Sequence, residues 1–340
     1  MRATNIDVSD TTEHVAHAVN GENGSGEARP YSRALYVVWR GYQRRAEVLA
    51  PRLRADLILL PHLTRFRLLR PLDYLAKFWT TIRLIRRRKA DCVFFQVPPH
   101  FTALPALLWN VPYVVDAHNA LFQSLWGRLP FVGFILHRAK LVIVHNGEIL
   151  KIAQGVYPDI SFHVIADPID RITVNTSRHP RQVLFICSFD PDEPQDVIVR
   201  VVESMPEYQF VLTADVRKLS RRDQQRLRSC PNLLLTGYLS EEAYHAVLCS
   251  SAAAVALTTK DATQQSGACE ALSSDTPLVV TRDALSETLF GQWAMLVENT
   301  PESVARGIRT ACGRSIDLSH ERNRWNMEVT RSVRSLERAL

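Results

Sequence analysis

The strongest constraint on this chain is a repeated alternation. Short apolar runs rich in Val, Ile, Leu and Phe are separated by longer amphipathic stretches. The first set of runs is Leu35–Trp39, Asp56–Leu60, Cys92–Val97, Tyr113–Asp116, Leu141–His145 and Phe162–Ile165. The second is Val183–Phe189, Gln209–Thr213, Asn232–Thr236, Ala252–Leu257, Leu278–Thr281 and Ala294–Val297. Continuous apolar runs of this length suit strands covered on both faces, as in a parallel sheet. Helix-length stretches lie between them, among them Arg44–Arg54, Pro71–Arg88, Leu121–Lys140, Pro194–Met205, Leu219–Cys230 and Glu241–Ser250. Such alternation predicts an α/β fold with two doubly wound, Rossmann-like parallel sheets.

The polar stretch Ile172–Pro180, ITVNTSRHP, reads as the connection between them. The expected organisation is a polar tail over 1–29, an N-terminal domain over 30–172, a C-terminal domain over 173–318 and a closing helix over 319–340. The two sheets are expected to face each other across a cleft. Ligands of open α/β sheets bind beyond the carboxyl ends of the strands. The polar residues that follow each run are therefore the candidates for function.

Composition narrows the class. With 46% hydrophobic and 22% charged residues among 340, the chain can bury full cores. No apolar run is long enough to span a bilayer, and the opening residues lack a signal-peptide core. The expected location is cytoplasmic. The six cysteines are scattered singly with no C-x-x-C pair, which suits reduced thiols rather than zinc or redox chemistry.

Charge is concentrated in one place. Between Arg65 and Lys89 nine basic residues face one acid, Asp73, giving 9 − 1 = +8. The whole chain carries +6, so the remainder carries 6 − 8 = −2. On the helix Pro71–Arg88, Leu75, Phe78, Trp79, Ile82 and Ile85 read as the packed face, with Lys77, Thr81, Leu84 and Arg88 opposite. The patch is either a surface for anionic lipid headgroups or an anionic acceptor, or an ordinary packed helix with solvated arginines. Nucleic acid is not expected, because the nearby Phe66, Phe78 and Trp79 read as buried rather than as stacking platforms.

One stretch concentrates groups that can hold an anion. Thr258–Glu270, TTKDATQQSGACE, follows one apolar run and leads into another, in the order strand, small polar loop, helix. The first N–H groups of a helix have no intrahelical partner and lie at the positive end of its dipole. Those of Gln265, Ser266 and Gly267 suit a diphosphate, and Gly267 allows close approach. Other run ends carry Asp116 and His118, His145 and Asn146, Asp192 and Glu193, and Asp215 followed by Arg217 and Lys218. No His/Asp ligand cluster stands out, so neither a metal nor a separate cofactor is expected.

The segment GACEALSSDTPLVVT resembles the retaining GT-B glycosyltransferases of the family 4-like group, which use nucleotide-sugar donors. The resemblance places Glu270 on the donor ribose, where a carboxylate can accept two hydrogen bonds from a diol. YVVDAHN resembles the strand end that carries a histidine facing the reacting sugar, which assigns His118 a catalytic role with Asp116 as its partner. Two positions depart from the pattern. Ala262 stands where the family has a first Glu, with Lys260 and Asp261 beside it. The loop SFDPDEP lacks the usual Arg and Lys, so Arg217, Lys218, Lys260 or backbone amides must offset the diphosphate charge. Asp192 and Glu193 are candidate donor or acceptor contacts.

The function implied is transfer of a sugar from a nucleotide diphosphate donor to a glycan, lipid-linked or polysaccharide acceptor. A sugar-nucleotide epimerase or phosphorylase of the same fold, and a non-catalytic sugar-nucleotide-binding protein, are the alternatives.

Overall fold

The computed structural model describes residues 31–64 and 66–340; the expected tail and Arg65 lie outside them. The chain divides into two units. One runs to Ala166 and takes back Thr330–Leu340, and the other is Asp167–Val329.

The first unit contains strands β1 (Ala34–Val38), β2 (Ala55–Leu59), β3 (Cys92–Val97), β4 (Tyr113–Ala117), β5 (Leu141–Val144) and β6 (Phe162–Val164). They form one parallel sheet in the order β2-β1-β3-β4-β5-β6. The second unit contains β7 (His179–Phe185), β8 (Gln209–Leu212), β9 (Leu233–Leu235), β10 (Ser251–Ala256), β11 (Leu278–Thr281) and β12 (Met295–Val297). Their order is β12-β11-β10-β7-β8-β9, again all parallel. Each apolar run found in the sequence overlaps one of these strands. The reason is visible in β1, β3, β4, β5 and β10, which are buried at every position because helices cover both faces.

The side on which successive strands are added reverses between β1 and β3 in one sheet and between β7 and β10 in the other. At such switch points the loops leave in opposite directions and open a crevice.

Three elements differ from expectation. The division at Ala166–Asp167 falls six residues before 172. Ile169 joins the second unit's core, and the Ile172 amide donates to Ser273 O at 2.8 Å. His179 and Pro180, expected in the connection, open β7, which bulges where Ser251 pairs with His179. The stretch expected as one helix over Leu121–Lys140 is broken: Asn119–Gln123 and Val132–Arg138 flank Leu129-Pro130-Phe131, where Phe131 takes a left-handed φ of 67°.

The third difference concerns the helix Arg70–Arg88. It buries only part of the face expected: Ile82 and Ile85 are buried and Phe78 is half-buried, but a polar stripe is buried with them. Asp73, Lys77 and Thr81, spaced at i, i+4 and i+8, are buried, whereas Leu72, Leu75 and Trp79 are exposed. Hydrogen bonds make this possible. Lys77 Nζ donates to Trp39 O at 3.2 Å and lies 3.4 Å from Asp73. Trp39 Nε1 donates to Thr81 Oγ1 at 3.2 Å. Asp73 is 2.6 Å from His62 Nδ1 and accepts from the Leu63 amide at 3.0 Å. A buried polar group that keeps its partners loses little by burial. Burial would raise the Asp73 carboxyl, but the His62 bond, the Leu63 amide and Lys77 bring it below the ordinary range.

The final helix, Ser319–Ala339, begins with the second unit. Trp325 packs on Phe290 and Trp293 and donates from Nε1 to Asp167 O at 2.8 Å. Its last turns group with the first unit, where His163 Nε2 meets Ser332 O at 2.8 Å. Among the described residues no helix is long and apolar enough to cross a membrane.

Candidate functional site

In the first unit the carboxyl ends of β3, β4 and β5 bring Gln96, Asp116, His118 and His145 together. Asp116 ends a fully buried strand and is itself 0% exposed. Its Oδ2 accepts from Tyr36 Oη at 2.5 Å, and Arg45 approaches both carboxylate oxygens from Nε at 3.1 Å and Oδ1 from Nη2 at 3.0 Å. Arg45 is 2% exposed and donates also to Ile165 O at 3.0 Å. Burial alone would raise the Asp116 carboxyl. Arg45, then His145 and His118, outweigh it and hold the group well below the usual carboxylate range.

The half-buried His118 sits just beyond β4, its ring edge-on to His145 at a centroid distance of 4.5 Å. The amide nitrogens of Gln43, at 3.3 Å, and of Gln96 converge on its Nε2. Asp116, read as a catalytic partner, is sealed from solvent and accepts hydrogen bonds from Tyr36 and Arg45. Two further polar atoms at this end, Asn119 Oδ1 and Asn146 Nδ2, are buried without a partner among the described residues. The other side of Asn146 is in use, because its Oδ1 caps the helix Gly147–Val156 by accepting from Glu148 and Ile149 N.

The fold thus assembles a cluster that the sequence did not display. Ligand atoms of Asp116, His118 and His145 all lie within 4.8 Å of one another. The donor set is a poor one for a cation. The only carboxylate already carries a guanidinium, and a second positive charge would have to displace it from a buried site.

In the second unit the polar loop from Thr258 to Gln265 is where sequence placed it, after β10 and before the helix Ser266–Ser273. Its start is pinned by neighbouring strand ends. Thr258 N donates to Thr281 Oγ1 at 3.0 Å, and Asn299 Nδ2 donates to Thr258 O at 2.8 Å. Thr259 N donates to Asp192 O at 2.6 Å, which ties this loop to the one after β7. Glu270 is half-buried, and Tyr244 Oη donates to its Oε2 at 2.7 Å. Tyr244 belongs to the helix Glu241–Ser250, so nothing in the local motif announces it. Beside Glu270, the buried Gln264 Oε1 and Gln265 Nε2 have no partner among the described residues. An unmet buried amide costs about 1–3 kcal/mol, which a ligand or water arriving there would recover.

Gly267 has a packing reason that sequence did not reveal. A Cβ there would stand 2.4 Å from Ile186 Cγ2. The absent side chain lets the start of the helix lie against Ile186, directly after β7. Ser266 is exposed at the first position of that helix, and Asp261 is exposed in the loop. Ala262, where the family pattern has Glu, takes a left-handed φ of 56°.

The remaining candidates are engaged with one another. Lys260 pairs with Asp192 at 3.1 Å, Lys218 with Asp190 at 2.8 Å and Arg217 with Asp215 at 2.7 Å. Each cation proposed for a diphosphate therefore already has an aspartate. The Arg217 hydrogen bonds hold the Asp215 carboxyl down to about 2. Glu193 braces its own loop, accepting from Ser188 N at 3.0 Å and Phe189 N at 2.7 Å. Burial pushes its carboxyl up in spite of those amides.

No family model matches the sequence, and neither does any curated protein. Solved structures do match in fold. The chain is similar to the sucrose-phosphate synthase of Thermosynechococcus elongatus, with a TM-score of 0.57, 15% identity, and coverage of 84% of this chain and 79% of that one. It is similar to HepE of Anabaena in complex with UDP and glucose, with a TM-score of 0.61, 11% identity and coverage of 90% and 94%. It is also similar to MnaA of S. aureus solved with UDP, with a TM-score of 0.56, 12% identity and coverage of 88% and 91%. At these identities the likeness is one of fold: two Rossmann-like α/β units, as in the GT-B glycosyltransferases.

The sequence singles out His118, Asp116, Gly267 and Glu270 but gives no sign of their neighbours Arg45, Tyr36, Gln43 and Tyr244. All four of the missed residues come from segments distant in the chain.

Proposed function

We propose that this protein is a metal-independent glycosyltransferase that draws on a nucleotide diphosphate sugar. The observation that carries the reading is the second unit's switch point. There Glu270, oriented by Tyr244, stands on a helix whose entry holds two unpartnered buried amides. Glu270 would take the ribose diol, and the amides of Gln265, Ser266 and Gly267 the diphosphate. Neighbours of this fold were solved with UDP, which supports a nucleotide as the ligand.

In the reaction, the bond from the anomeric carbon to the diphosphate oxygen breaks and one to an acceptor hydroxyl oxygen forms. Negative charge grows on the departing diphosphate, whose oxygen takes up the hydroxyl proton. His118, on a strand end anchored by the Asp116–Arg45 pair and beside Gln43 and Gln96, is suited to hold a sugar hydroxyl in register. The acceptor would be a glycan, lipid-linked or polysaccharide hydroxyl, and retention of anomeric configuration follows the family resemblance.

A thermal-shift screen against nucleotide sugars tests the ligand. A hundredfold excess over Kd adds about 2.7 kcal/mol to the folded state. Glu270→Ala should abolish that shift, and an undiminished shift in the variant would refute the assignment. A UDP-N-acetylglucosamine 2-epimerase also shares the fold, at a TM-score of 0.55 and 13% identity, which keeps a second chemistry in view. Release of nucleoside diphosphate only when an acceptor is present supports transfer. Isomerised donor without any acceptor supports epimerisation instead.

A further inference from the structure

The helix Arg70–Arg88 buries a hydrogen-bonded polar stripe together with Ile82, Leu84 and Ile85, and leaves other apolar residues outside. Leu72, Leu75 and Trp79 recur at i, i+3 and i+7 and are 64%, 53% and 51% exposed. They continue a bare apolar approach in which Leu68 is 94% exposed. Further along the same face the residues change character. Arg83 and Arg86 follow Trp79 by four and seven positions, with Arg87 beside them, all exposed. The helix's one acid, Asp73, is buried, so no carboxylate interrupts this face. Arg86 lies 5.4 Å over the ring of Trp109, which together with Leu108 is exposed at the end of the next helix.

Along the axis the order is leucines, then tryptophan, then arginines. That is the depth profile of half a bilayer: acyl chains, interface, phosphates. From Leu72 to Arg83 the helix rises about 16 Å, within the thickness of one leaflet. We propose that this face of the first unit docks on an anionic lipid surface, with Leu68, Leu72 and Leu75 below the headgroups, Trp79 among them and Arg83, Arg86 and Arg87 on the phosphates. A face that joins exposed leucines and a tryptophan to cations alone fits an anionic lipid surface. The inference does not depend on the chemistry proposed above.

Flotation of the full-length protein with vesicles tests it, comparing phosphatidylcholine alone with equimolar phosphatidylcholine and phosphatidylglycerol. The protein should float with the anionic vesicles and release as salt rises. Each arginine at the surface is worth about fivefold in partition at low salt, so Arg83→Gln with Arg86→Gln should cost about 25-fold. Leu72→Ser with Trp79→Ser should lower partition at low and high salt alike. Both pairs change exposed side chains, and an unchanged melting temperature confirms that the fold survives. Equal flotation of wild type and variants, or equal binding to neutral and anionic vesicles, overturns the proposal. So does a dimer of wild type that the Leu72→Ser and Trp79→Ser pair dissolves without altering flotation, which would make the face a contact between copies.

Discussion

Replacing Arg45 with methionine should be among the most damaging single changes in the first unit. The variant keeps most of the volume and removes the guanidinium from Asp116, which is 0% exposed and left with Tyr36 Oη as a donor. Breaking one side of a buried ion pair costs about 3–5 kcal/mol, because the other charge stays behind uncompensated. At an m-value of about 2 kcal/mol/M in urea, that cost lowers the unfolding midpoint by about 1.5–2.5 M.

The pH dependence carries the sign. In wild type the folded Asp116 carboxyl is depressed, so its contribution is present above the unfolded carboxylate range, near pH 4, and is lost as pH falls through it. In Arg45→Met the upward push of burial is unopposed by Arg45. The folded value then lies above the unfolded one, and the penalty shrinks as pH is lowered from 7. Arg45→Met combined with Asp116→Asn removes both charges and should recover most of the loss. Urea unfolding followed by circular dichroism at several pH values measures all three variants. A single-variant loss under about 1 kcal/mol, or a double variant whose loss equals the sum of the singles, would refute the reasoning.

Gly267→Ala should destabilise the second unit by about 1–3 kcal/mol, although alanine favours helix, because the new methyl meets Ile186 Cγ2. Adding Ile186→Ala should return much of that in thermal unfolding, and no rescue would show that the clash is not the cause. Burial pushes the Cys92 thiol up to about 12 and Cys312 to about 11, so both should resist a thiol reagent at pH 8 in the native state and react on unfolding.

The strands were legible because burial on both faces writes them as unbroken apolar runs, and the second unit's helix start was legible through GACEAL. What remained hidden depends on distant partners. Arg45 lies in an unremarkable helix 71 residues before Asp116, and Tyr244 lies 26 residues before Glu270. The helix Arg70–Arg88 was read correctly at Ile82 and Ile85 but not in its first turns, because its pattern favours burying Leu75 and Trp79. The decision lay with Trp39 and His62, whose bonds to Thr81, Lys77 and Asp73 make the polar stripe the better inner face. Gly267 looked like a phosphate glycine, and only the position of Ile186 shows the packing it also serves.

The engaged cations after β7, β8 and β10 have a consequence for encounter. Three cations, Arg217, Lys218 and Lys260, stand among six carboxylates, those of Asp190, Asp192, Glu193, Asp215, Asp261 and Glu270, giving 3 − 6 = −3. Beyond a Debye length of about 10 Å that excess is screened in ordinary salt, but in dilute solution it reaches further. At the helix start a diphosphate therefore meets this local excess of carboxylates before it reaches the helix amides, and close-range repulsion there weakens as salt is added. The surface would select for ligands already close, and would keep free phosphate at bay.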